Sequence, residues 1–272
     1  MMTWEIAAPL IVILFAGLPH GAADAVLALR LRAIGQVSLV VFMAAYLLLT
    51  AVAVFFWWWL PMVSLMLFLI MSVSHFGLAD TAANSTLPRR QLRALVHGGT
   101  LIVIVPLAHN SEVSALFTLL AASDASQLTD GLRWLMPFWL LGVIWIALGG
   151  AAGRKAAIEI VAIAAVLAIL PPLWGFAFYF CAIHAARHTK AVLQALALFG
   201  TVNWLLVALF TAVSIAAIVI AAIFLQTTSF DSALLRASFI GLAALTVPHM
   251  LLIDFYGAVQ RIARSQHNQP VS

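Results

Sequence analysis

The sequence predicts an all-α, polytopic transmembrane helical bundle of about nine spans, and three observations predict it. Apolar residues make up 65% of the 272 and charged residues only 8%, where a soluble domain carries roughly 25% charge. The mean hydropathy is +1.13, and apolar runs long enough to cross a bilayer recur along the whole chain. No run alternates apolar and polar as a barrel strand does, and lipid offers backbone groups no partners, so helices are the expected state.

Taking about 20 apolar residues as one crossing, the candidate spans are residues 7–31, 37–60, 61–78, 92–107, 134–149, 156–170, 173–199, 203–225 and 233–256. The first lacks the Lys/Arg-bearing start of a secretory signal and is expected to be retained. Pro61 separates the second from the third, and the NSTLPRR stretch separates the third from the fourth. A helix at 112–122 is too short to cross and is expected at the interface. The GGAAGRK loop divides the fifth span from the sixth, and Pro171 with Pro172 divides the sixth from the seventh. The whole chain, 1–272, reads as one integral membrane domain without a soluble second domain or an internal repeat.

Charge supports this count. Arg30, Arg32, Arg89, Arg90, Arg93, Arg154, Lys155, Arg187, Lys190, Arg261 and Arg264 all fall on one side of the nine-span scheme. Only Arg133 and Arg236 fall on the other, with Glu5, Glu112, Asp124, Asp130 and Asp231. Eleven of the thirteen cations on one face is the positive-inside pattern for N-terminus out and C-terminus in. The run Trp57, Trp58, Trp59 then falls at the outer interface, where indole rings favour headgroups.

Composition also excludes whole classes of function. The single cysteine, Cys181, rules out a disulfide framework and cysteine-rich metal sites. The basic balance does not indicate a nucleic-acid partner, because its cations are scattered between apolar runs and form no groove.

Eight histidines remain. His109 and His267 fall in predicted loops. The others occur as His20 in LPHGAAD, His75 in SVSHFGLAD, His97 in LVHGGT, His184 and His188 in CAIHAARH, and His249 in VPHM. Ionisable groups within spans are costly and mark function by default. One buried histidine is more often a hydrogen-bonded structural residue, but six in apolar surroundings lack six partners, and a shared metal satisfies several at once. His184 and His188 are four apart and share a helix face. His20, His75, His184 and His249 lie on spans that run in one direction, each about 12 to 17 residues from the outer end, at 1.5 Å per residue. They are therefore expected to meet in one layer of the inner half of the bilayer, with His97 reaching it from the inner end of the fourth span.

Aspartates follow several of these histidines: Asp24 after His20, Asp80 after His75, and Asp254 after His249. Metal-bound imidazoles usually donate their second N–H to a carboxylate or carbonyl, so Asp24 and Asp254, with His97 and His249, are candidates beside the site. Asp80, at a span end, reads equally as an interface residue. Gly21, Gly77, Gly98 and Gly99 lie one or two residues after histidines and suit close helix approach. Phe76, Trp174, Phe176, Phe178, Tyr179 and Phe180 gather near the histidines in sequence and suit a channel for a flat conjugated ligand, although lipid-facing packing explains each one singly.

From the residues alone, iron, zinc and copper all suit imidazole ligands. A haem-binding electron carrier and a histidine-based metal transporter are the alternative functions. A diiron hydroxylase is disfavoured, because the chain has a single HxxxH pair.

Taken together in order, LPHGAAD, SVSHFGLAD, LVHGG followed by Pro106, FCAIHAARH and VPHMLLID resemble the Brp/Blh-type bacterial β-carotene 15,15′-dioxygenases. The resemblance extends over nearly the whole chain. It implies a membrane enzyme of the bacterial inner membrane that cleaves β-carotene at its central double bond with O2 to give two retinal. It implies iron(II) held by His20, His75, His184 and His188. The carotenoid would enter from the bilayer, and a retinal-binding rhodopsin is the candidate acceptor of the product.

Overall fold

The computed structural model describes residues 4–23, 26, 29, 38–81, 87–197, 203–225 and 229–267. Among them no strand occurs, and nearly all are helical. Helix α1 covers Trp4–Ala22, α2 Leu39–Trp59, α3 Pro61–Asp80 and α4 Leu87–Ala108. Next come α5 (Asn110–Ala121), α6 (Ser126–Arg133), α7 (Met136–Ala147) and α8 (Gly150–Ile169). Helix α9 runs over 172–197, α10 covers Trp204–Phe224 and α11 covers Phe230–His267.

The breaks have local causes. Leu60 leaves helical geometry just before Pro61, which opens α3 at a position where its missing N–H costs nothing. Ala122, in the left-handed region at φ 53°, ends α5. Gly150, at φ 84°, turns the chain between α7 and α8. Pro172 opens α9 in the same way that Pro61 opens α3. Asp124 accepts hydrogen bonds from the N–H and hydroxyl of Ser126 at the start of α6, which holds its carboxyl below the usual range.

Seven stretches of the described residues are long and apolar enough to cross a membrane: α1, α2, α3, most of α4, the α6–α7 run, α10 and the first part of α11. The chain is an integral membrane protein. The predicted spans at 156–170 and 173–199 exist as helices α8 and α9. They fall outside the seven because α8 carries Arg154, Lys155 and Glu159, and because in α9 His184 and His188 add to Arg187 and Lys190 in lowering the hydropathy. The predicted short helix at 112–122 is α5, and α6 is a helix the sequence reading did not anticipate. His267 is not in a loop but ends α11, whose Arg, Gln and Ala residues beyond the apolar stretch are good helix formers.

Burial sorts the helices into layers. The spanning window of α4 is 67% buried, whereas those of α2 and α10 are 6% and 17% buried and present apolar side chains outward. Exposed apolar helices are what lipid requires, since there the bilayer takes the place of a covering layer. Helix α4 packs most tightly on α3, and glycines permit it. A Cβ at Gly77 would overlap the Ala94 carbonyl, and one at Gly98 would overlap the Val73 carbonyl. Gly21 and Gly99 have no such neighbours, so their small size is not needed for packing. Trp139 of α7 donates to the Val96 carbonyl, 3.1 Å away, fixing α7 against α4.

Candidate metal and substrate site

Five histidines from four helices meet in one cluster. His20 comes from α1, His75 from α3, His184 and His188 from α9, and His249 from α11. The His20 ring lies 5.3 Å from that of His184, 5.5 Å from His188 and 5.3 Å from His249, centroid to centroid. His75 is 4.7 Å from His184 and 5.3 Å from His249, and His188 is 5.0 Å from His249. His20, His75 and His249 each offer a nitrogen within 4.8 Å of the other two, a spacing that suits a common ion.

Local backbone irregularity aims two of these helices. A π-helical turn, Ile13–Gly17, precedes Pro19 and His20, and a longer one, Phe178–Ala185, carries His184. Widened turns of this kind recur at functional sites, because they rotate the residues that follow relative to those before. The Gly17 carbonyl, at the end of the first, accepts from Nδ1 of His20. That contact sets the ring so that Nε2 remains for the cluster.

His184 faces a carboxylate instead of a carbonyl. Its side chain and that of Asp80 are both sealed from solvent, with Nδ1 3.5 Å from Oδ1. Nδ1 and Nε2 of His184 and Nε2 of His188 are buried without a hydrogen-bond partner. Each buried orphan of this kind costs about 1–3 kcal/mol. Several in one cluster of neutral donors fit a divalent cation, which their lone pairs would satisfy together.

The cluster stands at one side of a cavity of about 760 Å³, mostly apolar in lining. His20, His75 and His249 line it, while His184 and His188 lie behind them. Phe76, Phe176 and Phe180 contribute aromatic walls, Phe176 stacking on Phe180 at 5.5 Å. Helix α2 lines the cavity from Phe42 to Trp58, roughly 24 Å at 1.5 Å per residue. The remaining walls belong to α10 and α11, through Ser214, Ile218, Ile240 and Thr246.

The residues singled out in the sequence are placed as follows. His20, His75, His184 and His188 come together with His249, which the depth of its span also places in that layer; His249, rather than His184 or His188, completes the close nitrogen group with His20 and His75. His97 is set apart, in a polar group with Tyr179, Glu159 and Arg187. Asp24 lies outside the described residues; Asp254 lies on α11, its side chain outside the description. Asp80 is no interface residue, since its carboxylate is buried against His184. Trp174, Phe178 and Tyr179 do not line the cavity. Trp57 separates from its two neighbours: it is 3% exposed and donates to the Leu120 carbonyl at 3.2 Å, whereas Trp58 and Trp59 are exposed. Arg187, in the sequence only a topology signal, turns out to touch the main chain of Asp80.

Comparison with known proteins gives a family match over most of the chain. The model of the family described as "Beta-carotene 15,15'-dioxygenase" matches residues 11–256, a segment that contains all five clustered histidines. A protein of that name from uncultured marine bacterium 66A03 is 32% identical over 253 residues, covering 90% of this chain and 92% of the relative. No solved structure matches.

Proposed function

The chain belongs to the beta-carotene 15,15'-dioxygenase family and is a carotenoid-cleaving dioxygenase; on that premise we propose that it uses iron(II) to cleave β-carotene at its central double bond, giving two retinal. The observation that carries the reading is the meeting of five buried histidines beside a long apolar cavity. The balance is simple: one carbon–carbon double bond breaks, and each of its carbons receives one oxygen atom of O2. No external reductant is required.

Imidazoles of this cluster would hold the ion. His20, His75, His184 and His188 are the set that the family resemblance implies, and among the described residues the nitrogens within 4.8 Å of one another are those of His20, His75 and His249. Iron(II) bound there would supply the binding and activation of dioxygen. The chain's own residues do the rest. The Gly17 carbonyl and the Asp80 carboxylate orient two of the rings. The apolar walls accept a hydrocarbon, exclude water and fix which double bond faces the histidines, so positioning selects the bond that is cut.

A substrate soluble only in lipid suits a site reached from the bilayer, here the bacterial inner membrane with the basic loops inside. A haem would use two axial histidines and leave three of the five unexplained. Expression in a bacterial host that accumulates β-carotene tests the reading. Loss of colour with two retinal formed per carotenoid consumed is expected. Unchanged carotenoid, or fragments of unequal length, would overturn it.

A further inference from the structure

Outside the histidine cluster, a connected group of polar side chains lies where α4, α8 and α9 meet the end of α3. Arg187 is its centre. Its Nη2 donates to Oε1 of Glu159 at 2.5 Å, and its Nη1 donates to the main-chain oxygen of Asp80 at 3.4 Å. Nε2 of His97 lies 3.3 Å from Nη1 and 3.4 Å from the same Glu159 oxygen. The Tyr179 hydroxyl donates to the His97 carbonyl at 3.0 Å, with Nδ1 of His97 2.9 Å from that hydroxyl. A half-exposed ion pair such as Arg187–Glu159 adds little to stability by itself. Its placement calls for another explanation.

That placement is specific. His184 and Arg187 are three residues apart, so both project from one side of α9. His184 meets the carboxylate of Asp80, and Arg187 meets the carbonyl of the same residue. Asp80 is the last residue of α3, where carbonyls lack intrahelical donors and a cation caps them. The Asp80 carboxylate oxygens accept no hydrogen bond of their own, so nothing but this main-chain grip and the packing around it aims them.

We infer that Arg187 is a positioning residue: held by Glu159, it fixes the end of α3 so that the Asp80 carboxylate stays on Nδ1 of His184, leaving Nε2 for the metal. The inference rests on the iron reading above. Arg187 touches neither the metal site nor the substrate, and it acts through Asp80 and His184.

The test uses the full-length protein purified in detergent and loaded with Co(II), whose visible absorption reports ligand geometry directly. Arg187→Gln is expected to weaken Co(II) binding about 10-fold and to shift its visible bands, a loss typical of removing an outer partner of a ligating histidine. In the iron-loaded enzyme kcat should fall with KM unchanged, and Arg187→Lys should restore part of the affinity. Arg187→Gln with wild-type Co(II) affinity and spectrum would overturn the inference while leaving the metal site standing. If that variant does not fold, Glu159→Gln decides, since it loosens Arg187 without removing it: a weaker, shifted Co(II) site supports the inference, and an unchanged one overturns it. Wild-type protein that takes up no Co(II) or iron would instead overturn the metal reading, and this inference with it.

Discussion

Oδ1 of Asp80 lies 3.5 Å from Nδ1 of His184, and neither side chain is exposed to solvent. A buried carboxylate that faces an imidazole is costly without nearby positive charge, and the Arg187 guanidinium reaches only the main-chain oxygen of Asp80. On the proposed iron reading, a metal on the opposite nitrogen would supply more. Asp80→Ala is therefore expected to lower metal affinity and activity about 10- to 100-fold. Competition with a ferrous chelator would measure the first and retinal formation the second; wild-type values for both would remove Asp80 from the site.

The histidines are expected to act as one unit. Alanine at His20, His75, His184 or His188 should abolish cleavage, and double replacements should be no worse than single ones. His249→Ala should also reduce bound iron, because its nitrogen is within 4.8 Å of those of His20 and His75. His109→Ala should be tolerated, since that residue precedes α5 at a helix boundary away from the cluster. Iron content per chain, read beside retinal yield, separates a lost ligand from a lost fold.

Metal removal gives a third outcome. Protein stripped by a ferrous chelator should lose activity and regain it with added iron(II), at about one ion per chain. Full activity in metal-free protein would contradict the assignment.

Filling the cavity should separate substrate binding from metal binding. Ser214 on α10 lines the cavity without belonging to the cluster. Ser214→Phe is expected to suppress carotenoid cleavage several-fold while iron content stays at the wild-type level. A fall in iron with no change in cleavage would argue against this cavity as the carotenoid site.

Helix packing yields the last prediction. Gly98→Ala places a methyl group against the Val73 carbonyl and should destabilise the α3–α4 contact by about 1–3 kcal/mol, the usual range for overpacking. Gly99→Ala, with open space at its Cβ, should be near neutral. Thermal unfolding of the two variants in the same detergent makes the comparison directly.

The sequence by itself determined the solvent of this protein and its chemistry. Scarce charge, recurrent apolar runs and the asymmetry of Lys and Arg are properties of the chain alone, and they require a helical membrane bundle whatever its packing. The histidines were legible for the same reason, because an ionisable ring in an apolar run is conspicuous before any fold is known. Tertiary structure decided which of them meet. His249 meets the cluster as its depth predicts, whereas His97 turns to Tyr179, Glu159 and Arg187, because ring direction depends on helix rotation; nor does residue spacing encode the two π-helical turns that aim His20 and His184. Asp80 reads equally as an orienting carboxylate and as an interface residue, and Arg187 as a topology signal; only the packing of α9 on the end of α3 brings the Asp80 carboxylate to His184 and the Arg187 guanidinium to the Asp80 main chain.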